Sequence, residues 1–325
     1  MTHATHCSTV TVDIICSVCD GALYVPAFLQ SLKTQTHPRW RLWIRDDGSS
    51  DASAAIVNSF ASADSRIRSM QSGGGRLGVV GAFGWLFERL PADTEYVMFA
   101  DQDDVWLPEK IERTLAAMLV AEQRSPGPVL VHSDLVVVDT ELNEIDRSFW
   151  HFADVNPDSP SLRHMIVKNV VTGATAMLNR ALRERVGTIP PAAAVHDWWV
   201  ACVARAFGQI AVLRAPTVLY RQHGGNSIGA RRPSSALAWH DVPRETPGAF
   251  GRAAKVRAGI AAAARQARAF LDRYHDDLSA ADRQFLASYA RIPERAYLLR
   301  KLDILRMQLL AENGFIQNVG ILLRA

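Results

Sequence analysis

Three apolar stretches of this chain each run straight into a knot of aspartates, and that repeated join constrains the fold more than any other feature. Val10 to Val18 (VTVDIICSV) reads as a buried strand that stops at Asp20-Gly21. Trp40 to Arg45 (WRLWIR) stops at Asp46-Asp47-Gly48-Ser49-Ser50-Asp51, and Tyr96 to Ala100 (YVMFA) stops at Asp101-Gln102-Asp103-Asp104. Helical spacing of apolar residues lies between them, over roughly Tyr24 to Thr34, Ala52 to Phe60 and Gly81 to Leu90. A further helix opens at Leu107-Pro108-Glu109, with proline early, acid in the first turn, and Ile111, Leu115 and Met118 on one face. Val129 to Val138 and Ala215 to Tyr220 add strands. Strands alternating with helices predict an α/β fold with a mostly parallel sheet covered on both faces. Ligands of such sheets gather beyond the carboxyl ends of the strands, which is where the acidic knots fall.

The chain has 325 residues, 48% of them hydrophobic, enough to bury a full core in one large domain with an appendage. Charged residues make up 21% and are well mixed, which excludes global disorder, and a net charge of +3 is too small to argue for nucleic acid. After Gln222-His223-Gly224-Gly225 the character changes. Residues 1–230 are expected to form the α/β domain, 231–248, rich in Pro, Arg and Ser, a linker, and 249–325 a helical region with a capping box at Ser279 to Asp282. Leu298, Leu302, Leu305 and Leu309 form a stripe beside Arg300, Lys301 and Arg306. It is open to two readings: a bundle or homodimer contact, or a basic helix lying on an anionic membrane.

Four cysteines (Cys7, Cys16, Cys19 and Cys202) make no disulfide framework in a chain this long. Cys16 and Cys19 have CxxC spacing but no second pair, so they read as small residues at a strand end rather than a zinc half-site. Met1 to Thr11 is polar, without the apolar segment of a signal peptide, and no run approaches the length of a membrane span. The expectation is a cytoplasmic protein that at most touches the inner face of the membrane.

Asp101-x-Asp103 after an apolar strand suits a particular chemistry. A departing nucleotide diphosphate accumulates charge, a divalent cation such as Mg²⁺ or Mn²⁺ neutralises it, and these hard cations prefer carboxylate oxygen. In extended backbone, residues two apart point the same way, so Asp104 would point elsewhere, as a loop or helix-capping group. A solvated turn capping the next helix is the competing reading of the whole cluster.

The longer match decides between them. SVCDGALYVPAFLQSLKTQTHPRW, then IRDDGSSD, FADQDDVWLPEKI, and finally HDWW followed by YRQHGGNSIG, occur in the order and character of a family 2 glycosyltransferase, which this sequence resembles across about its first 230 residues. Bacterial rhamnosyltransferases of polysaccharide assembly are the most similar in pattern. The resemblance implies a GT-A fold, Rossmann-like, and an enzyme that moves a sugar from a dTDP- or UDP-sugar, with dTDP-rhamnose first among donors, to a glycan or lipid-linked acceptor.

Carried over residue by residue, it implies that Asp46 and Asp47 contact the nucleotide near Cys19 and Asp20. Asp101 would lie by the ribose or metal, and Asp103 would be the principal metal ligand. His223 would be a second ligand, and Arg221 would meet the diphosphate. Asp197 in His196-Asp197-Trp198-Trp199 takes the place of the catalytic base, with Trp198, Trp199 and Gly173 on the acceptor side. Helix capping is the competing reading of Asp46, Asp47 and Asp197; a plain surface loop is that of Arg221 to Asn226, where Asn226 and Ser227 are further donors; a bulged strand is that of Gly173. His132 and His164 read as structural. After Gly73-Gly74-Gly75 the sequence departs from the family pattern: Arg76 and Ala82 stand where amides are common, and Arg76 is expected to pair with the diphosphate instead. A nucleotide-sugar-binding scaffold without turnover and a nucleotidyltransferase are the alternative functions. Intact Asp103 and Asp197 speak against the first, and the lack of a basic, glycine-rich triphosphate loop near the first strand speaks against the second.

Overall fold

A computed structural model describes residues 10–70, 75–158, 161–224 and 249–295. The chain divides into two compact units, one formed by residues 1–159, 170–191 and 195–231, the other by 160–169, 192–194 and 232–325.

The first unit is built on a sheet of nine strands among the described residues. These are β1 (Val12–Val18), β2 (Trp40–Asp46), β3 (Ile67–Met70), β4 (Tyr96–Asp101), β5 (Val105–Trp106), β6 (Val129–Val138), β7 (Glu144–Asp146), β8 (Met177–Asn179) and β9 (Gln209–Arg221). Their order is β3-β2-β1-β4-β8-β6-β9-β5, with β7 beside β6. Helices α1 (Val25–Lys33), α2 (Ser53–Ala63), α3 (Gly78–Glu88), α4 (Lys110–Arg124), α5 (Phe149–Phe152), α7 (Arg180–Val186) and α8 (His196–Phe207) belong to the same unit. β1 is buried at every position but the half-buried Ser17, as a strand covered on both faces must be. It runs parallel to β2 and to β4, with Val18 opposite Asp46 and Ser17 opposite Asp101. Three adjacent strands therefore release the chain at one edge of the sheet.

Several charges lie inside this unit, and Asp13 is among the most deeply buried. Asp13 of β1 is wholly buried, and its carboxylate accepts from Arg41 Nε and Nη2, Trp43 Nε1 and Thr94 Oγ1 at 2.7–2.8 Å. Four donors supply what burial of a carboxylate demands.

The helix–strand alternation is as the apolar pattern predicts, with α3 opening at Gly78 rather than Gly81. β8, three residues long, is antiparallel to both β4 and β6 and makes the sheet mixed. Like β3, β5 and β7, it is too short to carry a period of its own, and sequence patterning passes over it.

In the second unit, α9 (Ala249–Tyr274) buries Ala263, Ala264, Ala267, Phe270 and Tyr274, and α10 (Ala280–Ala290) buries Phe285, Leu286 and Tyr289. α6 (Leu162–Val167) packs on both. The expected cap is present: Ser279 Oγ accepts from Asp282 N at 3.1 Å. Residues 231–248, the stripe Leu298 to Leu309 and Cys7 lie outside the described residues. Among those described, no helix is long and apolar enough to cross a membrane.

Two buried histidines of the first unit tie stability to pH. His132 of β6 meets the ring of Trp150 at 5.6 Å, and His196 opens α8 stacked on Phe83 at 3.8 Å, with Phe99 edge-on at 4.9 Å. Burial pushes His132 down to about 4 and His196 down to about 3. Both are neutral in the fold and charge readily once the chain unfolds, near 6.5. Their neutrality therefore supports the fold fully above pH 6.5 and is lost as pH falls through the window towards 4 and 3. Urea denaturation from pH 7 to 4 is expected to show a falling midpoint, with a shallower fall for His196→Phe, which keeps the stack and cannot titrate. An unchanged slope in that variant would exclude the assignment.

Candidate active site

The loop after β1 is strapped to its neighbours by hydrogen bonds that reach far along the sequence. Cys19 N donates to Gln102 Oε1 at 2.9 Å and Gln102 Nε2 returns a bond to Cys19 O at 3.0 Å, so the amide pins this loop to the end of β4. Asp20 N donates to Ser49 Oγ, Gly21 N to Ser53 Oγ and Ala22 N to Asp51 Oδ2, at 2.8–3.0 Å, pinning the same loop to the end of β2. Asp20 adopts a left-handed φ of 47°, and its Oδ1 accepts from Ser50 N at 2.7 Å, which holds the Asp20 carboxyl below its ordinary range. A side chain at Gly21 would meet Gln102 Oε1 at 2.3 Å, so only glycine leaves room for the strap.

The two aspartates that end β2 have different surroundings. Asp47 is buried and ion-paired with the buried Arg45, and its two oxygens accept from Leu77 N and Gly78 N at 2.8 Å each. Its charge thus sits at the amino end of α3, where the helix dipole favours an anion. Asp46 is only half-buried, with Oδ2 accepting from Gly48 N and Ser49 N at 3.2 and 3.1 Å in a local turn. Arg76 is exposed beside Gly48 and acts electrostatically on the Cys19 thiol, which places it on the same rim.

Beyond β4, Asp101 and Asp103 are half-buried, whereas Asp104 is wholly buried and accepts from Arg221 N at 3.2 Å. Asp104 stands in the loop between β4 and β5, as expected, and that loop position is buried against Arg221 N of β9. Asp103 Oδ2 lies 2.8 Å from His223 Nε2. Sequence reading missed Tyr24, whose ring lies 4.6 Å from that of His223 and 4.9 Å from the Arg221 guanidinium. Arg221 itself is buried, with Nε donating to Asp103 O at 2.9 Å and Nη1 to Thr140 O. It clamps the acidic loop to the turn after β6, and that engagement with carbonyls sets it apart from the exposed Arg76.

The acidic segments meet at Asp101. Burial first, then the charges of Asp103 and Asp197, raise its carboxyl to about 7. Asp197 lies in the first turn of α8, 7% exposed, and its Oδ2 accepts from Gly173 N at 2.7 Å. A side chain at Gly173 would come within 3.0 Å of that oxygen. The two tryptophans separate: Trp198 is half-buried, but Trp199 is wholly buried and packs in the core, because successive helix residues face about 100° apart. Trp199 is therefore no wall of an acceptor site. Gly225, Asn226 and Ser227 lie outside the described residues.

These residues fit a divalent cation. Asp103 and His223 bring one carboxylate and one imidazole to a common point, with Asp101 in the same acidic segment. No cluster of three His, Cys, Asp or Glu ligands occurs among the described residues.

Comparison with known proteins shows the family and the fold. The sequence profile of glycosyl transferase family 2 matches residues 13–185. An uncharacterized glycosyltransferase of Nostoc sp., alr2836, is 27% identical over 229 residues, 66% of each chain. The dTDP-rhamnosyl transferase RfbG of Shigella flexneri is 24% identical over 222 residues, 65% of this chain and 72% of that one. Among solved structures, S. aureus TarS 1-349 in complex with UDP-GlcNAc superposes with a TM-score of 0.57 at 16% identity, over 96% of this chain and 78% of that one. The mannosyltransferase PcManGT of Pyrobaculum calidifontis, in complex with GDP-Man and Mn²⁺, gives 0.51 at 17% identity, over 97% and 80%. These structural likenesses concern the fold.

The contrast between the two β2 aspartates is testable. Asp47→Ala strands the buried Arg45 charge and two amide donors of α3, at a cost of about 3–5 kcal/mol. Asp46→Ala removes only turn hydrogen bonds, at about 1 kcal/mol. Equal losses in urea denaturation would contradict the division of roles.

Proposed function

The chain belongs to glycosyl transferase family 2, and from that premise we propose an inverting, divalent-metal-dependent sugar transferase whose base is Asp197. One observation carries this reading: Phe99, on the strand that ends at Asp101, meets the ring of His196, the neighbour of Asp197, at 4.9 Å, so the strand of the acidic pair and the helix of the base adjoin. Asp103 and His223 would hold the cation, with Asp101 beside them. A divalent cation bound there supplies the positive charge that a departing nucleotide diphosphate needs.

The protein's own groups account for the rest. The hydrogen bond from Gly173 N occupies one oxygen of Asp197 and fixes the direction of the other. An acceptor hydroxyl attacking the anomeric carbon gives its proton to Asp197 as the new C–O bond forms, while the bond to the diphosphate oxygen breaks on the opposite face of the sugar. The straps between Cys19, Gln102, Ser49 and Ser53 tie the nucleotide rim together, and Cys19, Asp20, Asp46 and Arg76 are among its groups left half or fully exposed. Asp47 and Arg221 are assigned supporting parts, the first holding α3 and the second clamping the acidic loop.

Similarity to RfbG, which is named a dTDP-rhamnosyl transferase, supports dTDP-rhamnose as the first donor to try. UDP-sugars come next, on the strength of TarS with UDP-GlcNAc. The acceptor is assigned as a hydroxyl of a glycan, free or lipid-linked.

A thermal-shift screen of dTDP-, UDP- and GDP-sugars with Mn²⁺ identifies the donor. With that donor, Asp197→Asn is expected to lose transfer by at least about 10²-fold while keeping donor affinity within a few-fold. Asp103→Ala is expected to weaken donor binding as well. Full transfer by Asp197→Asn would remove it from the base role.

A further inference from the structure

Charge is divided unevenly along this chain. The second unit, residues 160–169, 192–194 and 232–325, contains 17 Lys and Arg against 9 Asp and Glu, a net of +8, although the whole chain carries only +3. The first unit is therefore net −5, as its aspartate-rich strand ends lead one to expect. Within the second unit the asymmetry is marked along α9, where Ala249–Tyr274 holds Arg252, Lys255, Arg257, Arg265, Arg268 and Arg273 against Asp272 alone.

The helix orients part of that charge. Ala263, Ala267, Phe270 and Tyr274 turn inward, while Arg257, Arg265 and Arg268 stand exposed on the opposite side, at spacings that keep them on one stripe with Ala261. None of these three guanidiniums has an ion pair or hydrogen bond to a described residue. Arg265 and Arg268 line a groove of about 520 Å³ together with several alanines, Asp272 and Glu294. The exposed face is thus arginine interleaved with methyl groups, with the carboxylate of Asp272 at its C-terminal end and that of Glu294 lining the same groove. It lacks the aromatic side chains on which nucleic-acid bases stack, and it lacks the large apolar residues of a helix–helix contact. What remains is a stripe of fixed positive charge suited to a surface dense in phosphate.

We propose that the outer face of α9 docks this protein on an anionic phospholipid surface, with Arg257, Arg265 and Arg268 meeting lipid phosphates. Arginine forms bidentate bonds with phosphate, and the small alanines let the headgroups approach the helix closely. Attraction of this kind adds roughly fivefold in affinity for each basic residue near the surface and fades beyond the Debye length of about 10 Å at 0.1 M salt. The inference does not depend on the transfer chemistry: it concerns where the protein resides, and it holds or fails with the donor and the base left unspecified.

The full chain is tested by co-sedimentation with vesicles of pure phosphatidylcholine and with vesicles in which about a third is phosphatidylglycerol, at low and high salt. The proposal expects binding to the second alone, lost at about 1 M salt. It expects the Arg257→Gln, Arg265→Gln, Arg268→Gln variant to bind at least about 30-fold more weakly, with its melting temperature and its Mn²⁺-dependent donor thermal shift unchanged. If that variant does not fold, Arg265→Gln with Arg268→Gln is expected to lose about 10-fold or more. Inorganic phosphate at millimolar concentration is expected to leave vesicle binding intact; full displacement by it would mean a site for a small free anion instead. Failure of the wild type to bind anionic vesicles, equal binding to both vesicle types, or full binding by the folded variants would overturn the proposal. So would conversion of a dimer to a monomer by the variants, since the stripe would then be a contact between copies.

Discussion

Carboxylates crowded at the ends of parallel strands repel one another, and the first unit is organised around that repulsion. The register of β1 against β2 and β4 leaves no choice about where the chain emerges: Val18 lies opposite Asp46, and Ser17 opposite Asp101. Each acidic group at that edge must find donors, a counter-charge, or a proton. Asp47 takes Arg45 and the amino end of α3, Asp20 takes Ser50, and Asp46 takes its own turn. Asp101 takes the third course: burial first, then the charges of Asp103 and Asp197, raise its carboxyl to about 7.

The supporting groups explain how that point is kept in place. Gln102, next to Asp101, clasps Cys19 with both ends of its amide, and Gly21 leaves space for it. Arg221 clasps the carbonyl of Asp103 from the other side, under the ring of Tyr24. The DxD segment is therefore held by backbone contacts on two flanks, leaving the Asp103 carboxylate to meet His223. Preorganisation of this kind spares a site the reorganisation that flexible charges would undergo on binding.

Much of this was legible in the sequence, and the illegible part has a common physical character. β1, β2, β4, β6 and their helices announce themselves because covered strands are apolar throughout and amphipathic helices repeat. Asp101 and Asp103 stood out because a carboxylate pair at a strand end suits a hard cation, whereas Asp197 and His223 were singled out chiefly through the family resemblance. What stayed hidden depends on contacts between distant positions. Arg45 as partner of Asp47, Gln102 as a strap, Tyr24 beneath His223 and the inward turn of Asp104 are set by tertiary packing that no local period encodes. Trp199 failed for a local reason: side by side in sequence with Trp198, it faces the core because a helix turns by about 100° per residue.

The account stands on Asp103 and Asp197 opening onto one cavity with a cation between phosphate and protein. Anomalous X-ray diffraction at the manganese edge, on crystals grown with Mn²⁺ and the nucleotide diphosphate of the identified donor, tests that arrangement directly. The account predicts one manganese peak ligated by Asp103 Oδ and the diphosphate oxygens, with Asp197 facing the same cavity. A peak ligated elsewhere, or a diphosphate bound where Asp197 is shut away from it, would contradict it.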